Sequence, residues 1–317
     1  MLFQRLGVHQ NLEIRQPRAK VFFGLSSLLR PLSRKSRAIH TVEVYQVGRF
    51  GNAYIQVAHA ISVAMAVGAE TVVVNDTSWL RSGPLEGLGL ELISMTRGKP
   101  SRAARGPVLT GKFFYSEEFP GILSDEIPES VARAIFIASE FQPQEQTFAD
   151  DVLVIHLRGG DVFEKPAPRH YGQPPLAFYQ KVVQSREWSE VGIVHEDLRN
   201  PVLGPLTDFL REKKLRFWQQ SGALNEDVGI LFKAQYLVCA NGSFGRAIVN
   251  MSPNLRKYFR FEGTYPIPSS NPRAKETVIR DSSNQYRELI LSGNWQANDD
   301  QIALMLTQPV ASLEIAK

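Results

Sequence analysis

The sequence has a single cysteine among 317 residues, Cys239, which lies in the apolar run AQYLVCA. A lone cysteine excludes an internal disulfide, so nothing in the sequence points to an oxidising compartment. Free cysteine behaves as a small apolar side chain and is among the most buried residue types. We therefore expect Cys239 to be a buried structural residue.

The sequence also lacks the short motifs of several large enzyme classes. It contains no HExxH, no paired CxxC and no P-loop, so it gives no support to a metal site or an ATPase. It contains no GxSxG, the turn that presents the nucleophilic serine of many hydrolases. The adjacent aspartates lie in a linker and near the C-terminus and do not indicate a metal–diphosphate site; they are Asp150 with Asp151 and Asp299 with Asp300. We expect no metal and no resident cofactor.

Acidic residues are scarce only at the N-terminus. Residues 1–40 hold eight Lys or Arg and one acid, Glu13, a balance of +7 within an overall net charge of +4. The other residues carry 28 basic and 31 acidic side chains, a balance of −3. The basic excess therefore belongs to an N-terminal arm, and a nucleic-acid partner is not indicated.

The arm contains KVFFGLSSLLRPLSRKSR, residues 20–37, in which apolar and basic residues are mixed. Its apolar run is too short and too interrupted to span a bilayer, and no signal-peptide cleavage site follows it. Two interpretations are open: the segment lies on an anionic membrane surface, or it is a helix packed on the body with solvated arginines. The expected location is the cytoplasm, with peripheral contact at the inner membrane surface under the first interpretation.

From residue 41 onward, strand and helix patterns alternate. Residues 41–47 and 70–76 have the β-branched enrichment of strands, and residues 52–68 between them have apolar residues at helical spacing and end at Gly68. A strand–helix–strand unit of this length indicates a parallel sheet. Residues 77–125 are less regular, residues 127–141 predict a helix, and residues 142–151 resemble a linker.

A second alternating series begins at residue 152. Its predicted strands are 152–158, 191–197 and 236–241, and its predicted helices are 176–188, 204–215, 226–235 and 243–251. The predicted fold class is therefore α/β with two doubly wound domains. We expect a basic arm at 1–40, an N-terminal domain at 41–148 and a C-terminal domain at 149–317, whose last helix is a candidate for packing back on the N-terminal domain.

Sites in open parallel sheets lie outside the carboxyl ends of the strands, so functional residues are expected in the loops that follow the predicted strands. VGRFGN follows the first strand and contains Arg49, Gly51 and Asn52. Glycines permit close backbone approach to a ligand, and a helix N-terminus favours an anion. Asn52 is either the cap of the following helix or a residue that faces the ligand.

In the stretch VLVIHLRGGD, residues 152–161, polar residues follow directly after a predicted buried strand. Arg158 follows the apolar run, and a guanidinium offers a bidentate fork for a phosphate or carboxylate. His156 lies two residues earlier on the same face, Gly160 permits a tight turn, and Asp161 either holds Arg158 or caps the turn. The alternative is a structural Arg–Asp pair beside a core histidine.

Two later loops add weaker candidates. Asp197 closes the strand ending in HED, where a carboxylate often contacts a ribose hydroxyl. Ser243 and Phe244 open a helix directly after a strand, so Ser243 is either an N-cap or a phosphate ligand. Asp227 lies in the acidic start of the preceding helix, where helix capping and contact with a nucleobase are both open.

Three of these segments together resemble the GDP-fucose-dependent fucosyltransferase superfamily. HLRGGD resembles its H-x-R-x-G-D signature, GRFGN resembles the helix opening of the protein O-fucosyltransferases, and NGSFGRAIVNMSP resembles their third, serine-rich region. The resemblance implies a GT-B fold, in which two Rossmann-like domains face each other across a cleft and the C-terminal domain holds most of the donor. It also implies metal-independent, inverting transfer of fucose from GDP-fucose to a hydroxyl of a glycan, a lipid-linked sugar or a peptide.

The resemblance assigns roles to individual residues. Arg158 would contact the donor diphosphate and, with Asn52, form the catalytic pair. The other matched positions would contact the donor or shape its loops; they are Arg49, Gly51, His156, Gly160, Asp161, Ser243 and Phe244. Asp197 and Asp227 join the donor-binding set from their strand-end positions.

The sequence departs from this family in all three segments. Ala53 stands where Gln is typical, Gly159 stands where several relatives carry Arg, and a glycine in NGSFG stands where a second Ser or Thr is usual. Two alternatives therefore stay open beside the fucosyltransferase hypothesis. One is a glycosyltransferase that uses another nucleotide sugar, and the other is a non-catalytic sugar-nucleotide- or glycan-binding protein of the same fold.

Overall fold

The computed structural model describes residues 39–95, 107–141 and 147–316 in full, together with the backbone of residues 13–16 and 19–21. The chain divides into two compact units between Glu140 and Phe141. This division lies eight residues before the domain boundary expected from the sequence, at the start of the segment that resembles a linker.

The first unit is built on a seven-stranded sheet in the order β2-β1-β7-β3-β4-β6-β5. Its four central strands, β7, β3, β4 and β6, run parallel, and β1 and β5 pair antiparallel at the two sides. The strands are β1 (Glu13–Gln16), β2 (Ala19–Val21), β3 (Thr41–Tyr45), β4 (Thr71–Asn75), β5 (Gly83–Leu85), β6 (Leu90–Ser94) and β7 (Val108–Gly111), and the helices are α1 (Phe50–Val67) and α2 (Glu129–Ala138).

Part of the expected N-terminal arm belongs to this sheet. β1 and β2 form an antiparallel pair, and β1 pairs in turn with β7. Over these seven residues, 13–16 and 19–21, the prediction of an arm separate from the first domain is therefore wrong. Residues 22–38, which contain most of the basic amphipathic segment, lie outside the described residues, so membrane contact stays a prediction.

Helix α1 begins earlier than the sequence predicts. Its N-cap is Arg49 and its first residue is Phe50, whereas the prediction started the helix at Asn52. Its C-terminal end is as predicted: Gly68 adopts the left-handed conformation (φ 69°), and its N–H donates to the carbonyl oxygens of Ala64 and Met65. In the described part of the chain, α1 is the one helix with the length and apolar composition of a membrane span, but 72% of its residues are buried inside the protein.

The second unit is built on a seven-stranded sheet in the order β10-β9-β8-β11-β12-β13-β14. Its strands are β8 (Val152–Leu157), β9 (Glu190–His195), β10 (Arg216–Gln220), β11 (Tyr236–Val238), β12 (Lys257–Phe261), β13 (Lys275–Asp281) and β14 (Leu313–Ile315). Its helices are α3 (Leu176–Val183), α4 (Leu203–Glu212), α5 (Leu224–Lys233), α6 (Ser243–Met251) and α7 (Asp299–Thr307). All strands are parallel except β14, which pairs antiparallel with β13.

This order is that of a Rossmann sheet. If the six parallel strands are counted along the chain from β8, they lie in the spatial order 3-2-1-4-5-6. The chain therefore reverses direction across the sheet between β8 and β11, which is where such sheets bind ligands. Two Rossmann-like α/β units confirm the predicted fold class, and their arrangement across a cleft stays a prediction.

The core of the second unit explains two of its sequence features. β8 is buried on both faces, as expected of a central parallel strand, with Val152 to Ile155 all inaccessible or nearly so. Cys239 is buried as predicted, and burial raises the pKa of its thiol. Met305 places the last helix, α7, in the core of its own unit, and the predicted packing of this helix on the first unit stays a prediction.

Candidate functional site

Arg158 lies just past the end of β8, at the point where the sheet order reverses. Its Nη1 is 3.5 Å from the backbone oxygen of Asn241, and its Nη2 is 3.4 Å from Oδ1 of Asp161. Its guanidinium carbon lies 4.6 Å from the centre of the Tyr171 ring. The predicted Arg158–Asp161 pair therefore forms, and the Arg158 side chain keeps 17% of its surface exposed.

The backbone around Arg158 is fixed from two sides. The side-chain amide of Asn200 donates to the Arg158 carbonyl oxygen at 2.9 Å. The carboxylate of Asp197 accepts from the N–H of Gly160 at 3.1 Å (Oδ2) and 3.2 Å (Oδ1). Gly160 has a φ of +68°, a conformation that favours glycine.

Asp197 therefore has a structural role that the sequence did not predict. Its Oδ1 also accepts from the N–H of Arg199 at 2.9 Å, and a Cβ on Gly159 would collide with the same carboxylate. These contacts direct the Asp197 carboxylate toward the loop that carries Arg158. A contact of Asp197 with a ribose hydroxyl stays a prediction.

The loop between β11 and α6 passes directly beneath the guanidinium. Gly242 is the N-cap of α6, with φ 139°, and a Cβ at this position would collide with Nη1 of Arg158. The alternative in which Ser243 caps this helix is wrong, because the N-cap is Gly242 and Ser243 is the first residue of the helix. The absence of a side chain at residue 242 is therefore what lets Arg158 reach the start of α6.

Asn241 is the residue that connects the loops of the site. Its backbone N–H donates to Oε1 of Gln173 at 3.1 Å, and its Nδ2 donates to the carbonyl oxygen of Gly172 at 2.8 Å. Its Oδ1 accepts from the N–H of Tyr265 at 2.8 Å. Asn241 is itself buried, so one side chain holds the loop before α3 and the loop after β12 against the end of β11.

His156 is packed within the same site. Its ring stacks on that of Phe244, with centroids 4.7 Å apart and planes 29° apart. Burial, and to a lesser degree the positive charge of Arg158, lowers the pKa of His156 to about 3. The imidazole is therefore neutral at physiological pH. Its Nδ1 is buried and has no hydrogen-bond partner among the described residues.

Asp227 lies on the β10 side of the sheet. Its Oδ1 accepts from the N–H of Gly222 at 3.1 Å, one residue before the N-cap Ala223, whose own N–H donates to Glu226. Burial raises the pKa of Asp227, against the lowering effect of hydrogen bonds from Gln220 and Gly222. Its contact with a nucleobase stays a prediction.

The candidates of the first unit cluster at the start of α1. A Cβ on Gly48 would lie 2.7 Å from Nδ2 of Asn52, so the Asn52 side chain packs against the turn. Asn52 is the third residue of the helix, so the alternative in which it is the cap is wrong. Arg49 is the N-cap and Gly51 is buried in the first turn.

Sequence reasoning missed Gln56, which fixes this turn. Its Oε1 accepts from the N–H of Val47 at 3.0 Å and its Nε2 donates to the carbonyl oxygen of Val47 at 2.7 Å. In the second unit it missed Asn241 and Tyr265. The one available signal was their position: both follow a parallel strand at its carboxyl end.

The structure thus brings together most of the predicted residues of the second unit around the end of β8. They are His156, Arg158, Gly160, Asp161, Asp197, Ser243 and Phe244. Arg49, Gly51 and Asn52 form a separate group in the first unit, and Asp227 lies toward β10. Among the described residues, no three His, Cys, Asp or Glu side chains form a group that could hold a metal ion.

Comparison with known proteins assigns no family. No protein-family model matches this sequence, and no curated protein is significantly similar to it. The structure of the dodecameric iron-containing heptosyltransferase TibC in complex with ADP-D-beta-D-heptose is 10% identical, with a TM-score of 0.43 over 82% of this chain. The chain covers 65% of that protein, slightly less than two thirds of its length.

A second solved structure is similar at a comparable level. The ADP-heptose LPS heptosyltransferase II of E. coli is 12% identical, with a TM-score of 0.36 over 75% of this chain and 90% of that one. Neither structure is a GDP-fucose-dependent fucosyltransferase. Similarity this weak assigns neither an activity nor a substrate to the chain.

Proposed function

We propose that the protein is a glycosyltransferase whose donor is a nucleoside diphosphate sugar. The observation that carries this proposal is the position of Arg158. Its guanidinium lies at the carboxyl edge of a Rossmann sheet, between the ends of β8 and β11 and against the start of α6. In sheets of this order, that position is where nucleotide phosphates bind.

The contacts of Arg158 support binding of an anion. Its contacts with Asn241 and Asp161 are 3.5 and 3.4 Å long. Charge-assisted hydrogen bonds from a guanidinium to a phosphate are shorter, about 2.7–2.9 Å. A diphosphate in contact with the guanidinium would therefore form stronger bonds than those the side chain makes within the protein. The positive end of the α6 dipole also favours negative charge at this place.

The proposed reaction is an inverting transfer. The oxygen of an acceptor hydroxyl attacks the anomeric carbon of the donor sugar, and the bond from that carbon to the diphosphate oxygen breaks. The nucleoside diphosphate leaves with the electron pair, and the hydroxyl proton passes to a base. Arg158 would stabilise the negative charge that develops on the leaving diphosphate, an effect that acts mainly in the transition state.

GDP-fucose is the donor that the HLRGGD motif favours, with a glycan, lipid-linked sugar or peptide hydroxyl as acceptor. The alternative donor is another nucleotide sugar. ADP-heptose is included among the candidates because one of the similar structures contains ADP-D-beta-D-heptose. A thermal-shift panel of GDP, GDP-fucose, ADP, ADP-heptose, UDP and UDP-glucose separates these donors. A rise in the unfolding temperature with only one of these nucleotides and its sugar conjugate identifies the nucleoside.

The test of the function is loss of transfer in Arg158→Ala. Removal of one electrostatic group of this kind typically lowers the rate by about 10²–10³-fold. Release of the nucleoside diphosphate from the donor is measured with glycan, glycolipid and peptide acceptors. Arg256→Ala is the matched control, because Arg256 is exposed at the amino end of β12, on the opposite edge of the same sheet.

Three outcomes are distinguishable. Loss of release in Arg158→Ala, with Arg256→Ala active, supports the proposal. If Arg158→Ala releases the nucleoside diphosphate as fast as an active Arg256→Ala, Arg158 has no part in the mechanism. Binding of a nucleotide sugar without transfer to any acceptor class favours the alternative of a non-catalytic binding protein.

A further inference from the structure

Tyr265 is an exposed aromatic residue at the edge of the Arg158 site. It follows β12 and keeps 47% of its surface accessible. Its ring centre lies 5.6 Å from that of Tyr171, at an angle of 46°. Tyr171 in turn lies under the guanidinium of Arg158, 4.6 Å from ring centre to guanidinium carbon. The two rings therefore continue the site from Arg158 toward β12.

The backbone that carries these two rings is held in place. Oδ1 of Asn241 accepts from the N–H of Tyr265, and Nδ2 of the same residue donates to the carbonyl oxygen of Gly172, next to Tyr171, both at 2.8 Å. The hydroxyl of Thr264 donates to the Phe261 carbonyl oxygen at 2.6 Å, which closes the turn before Tyr265. A large aromatic side chain on a fixed backbone loses little conformational freedom when a ligand covers it.

The strand order gives the direction in which a donor would extend. In a Rossmann sheet the phosphates lie at the reversal point, and the ribose lies toward the second strand along the chain, which here is β9. The group on the other side of the diphosphate then lies toward β11 and β12. In a nucleoside diphosphate sugar that group is the sugar that is transferred.

We propose that Tyr265, supported by Tyr171, is the binding surface for the transferred sugar of the donor. The C–H face of the sugar ring packs on the aromatic face of Tyr265, while the diphosphate is held by Arg158. This inference rests on the proposed function, and it adds a residue that selects the sugar and not the nucleotide. Tyrosine suits this role because its ring offers a large, rigid apolar face.

The test compares the binding of a nucleotide with that of its sugar conjugate. Dissociation constants for GDP and GDP-fucose, and for ADP and ADP-heptose, are measured for the wild type, Tyr265→Ala and Tyr265→Phe. We expect Tyr265→Ala to weaken binding of the preferred nucleotide sugar about tenfold and to leave binding of the free nucleoside diphosphate unchanged. Tyr265→Phe keeps the aromatic face and should bind both ligands within about twofold of the wild type.

Tyr236→Ala is the matched control, since Tyr236 is a half-buried aromatic residue at the amino end of β11, on the opposite edge of the same sheet. It should leave both dissociation constants unchanged. Equal weakening of the nucleotide and the nucleotide sugar by Tyr265→Ala, or no weakening of either, overturns the role of Tyr265 while the proposed function stands. Failure of the wild type to bind any nucleoside diphosphate overturns the proposed function itself, and the inference with it.

Discussion

Nη1 of Arg158 lies 3.5 Å from the backbone oxygen of Asn241, 83 residues away in the sequence. This contact joins the ends of the two strands between which the sheet order reverses, β8 and β11. It exists because Gly242, the next residue, has no side chain where the guanidinium passes. The cation of the site is therefore positioned by a backbone that belongs to another strand.

Gly242→Ala is expected to displace this cation. The new Cβ would collide with Nη1 of Arg158, and the φ of 139° is unfavourable for alanine. Backbone strain of this kind costs about 1–3 kcal/mol of unfolding free energy. Loss of a charge-assisted phosphate contact should weaken binding of GDP or ADP by about tenfold or more. Titration calorimetry and chemical unfolding measure the two effects.

Gly121→Ala separates strain from displacement. Gly121 also has a positive φ, +78°, but nothing lies within 4 Å of the position a Cβ would take. This control should lower stability without a change in nucleotide affinity. If Gly242→Ala binds nucleotide as tightly as the wild type, Arg158 does not contact the phosphates.

Asp197→Ala is expected to loosen the loop that carries Arg158. The N–H groups of Gly160 and Arg199 would lose their carboxylate acceptor. Because the carboxylate is partly exposed, the loss of unfolding free energy should be about 1–2 kcal/mol. Thermal unfolding measures the stability, and GDP or ADP titration measures the accompanying loss of affinity.

A ribose contact would give a different pattern for Asp197→Ala. Nucleotide affinity would then fall by more than the affinity for inorganic diphosphate, whereas loosening of the Arg158 loop alone lowers both affinities to the same extent. Asp208→Ala is a suitable reference, because Asp208 is an exposed carboxylate, 68% accessible, whose ion pair with Arg211 lies on the surface of α4. Surface pairs of this kind contribute about 0–1 kcal/mol, so this variant should unfold close to the wild type.

The sequence predicts the centre of the site better than its surroundings. Arg158 was identifiable because a continuous apolar run indicates a buried strand, and the residue after it must lie at the sheet edge. Asn241 was not, because its role comes from hydrogen bonds to Gln173, Gly172 and Tyr265, which lie 24 to 69 residues away. Hydrogen bonds between residues so far apart in the sequence leave no local sequence pattern from which they could be predicted.

Exposure to solvent explains two of the strands that the sequence did not predict, β10 and β13. β10, RFWQQ, has no fully buried residue and lies at the edge of its sheet, so neither alternation nor an apolar run marks it. β13 has only two buried residues among its seven. The start of α1 was misplaced for a related reason, since Arg49 occupies the N-cap without the side-chain hydrogen bond that cap preferences reflect.

His156 links the site to the acid stability of the protein. Its pKa is lowered to about 3 in the folded protein, chiefly by burial and further by the charge of Arg158. In the unfolded chain, a histidine titrates near its ordinary pKa of about 6.5. Between these two values the unfolded chain binds a proton that the folded protein does not. The free energy of unfolding therefore keeps its full value above pH 6.5, as far as His156 is concerned, and decreases as the pH falls from 6.5 toward 3.

His156→Phe should reduce this pH dependence. The substitution keeps an aromatic ring against Phe244 and removes the group that titrates. One histidine contributes a slope of at most about 1.4 kcal/mol per pH unit, so the free energy of unfolding should fall less steeply in the variant on acidification. Urea unfolding of both proteins at pH 7.5, 6.5, 5.5 and 4.5 measures the slopes, and the difference at pH 7.5 gives the packing effect alone. Parallel curves for the two proteins would mean that His156 takes up its proton in the folded state, which would require it to be hydrated beside Arg158 and not buried against Phe244.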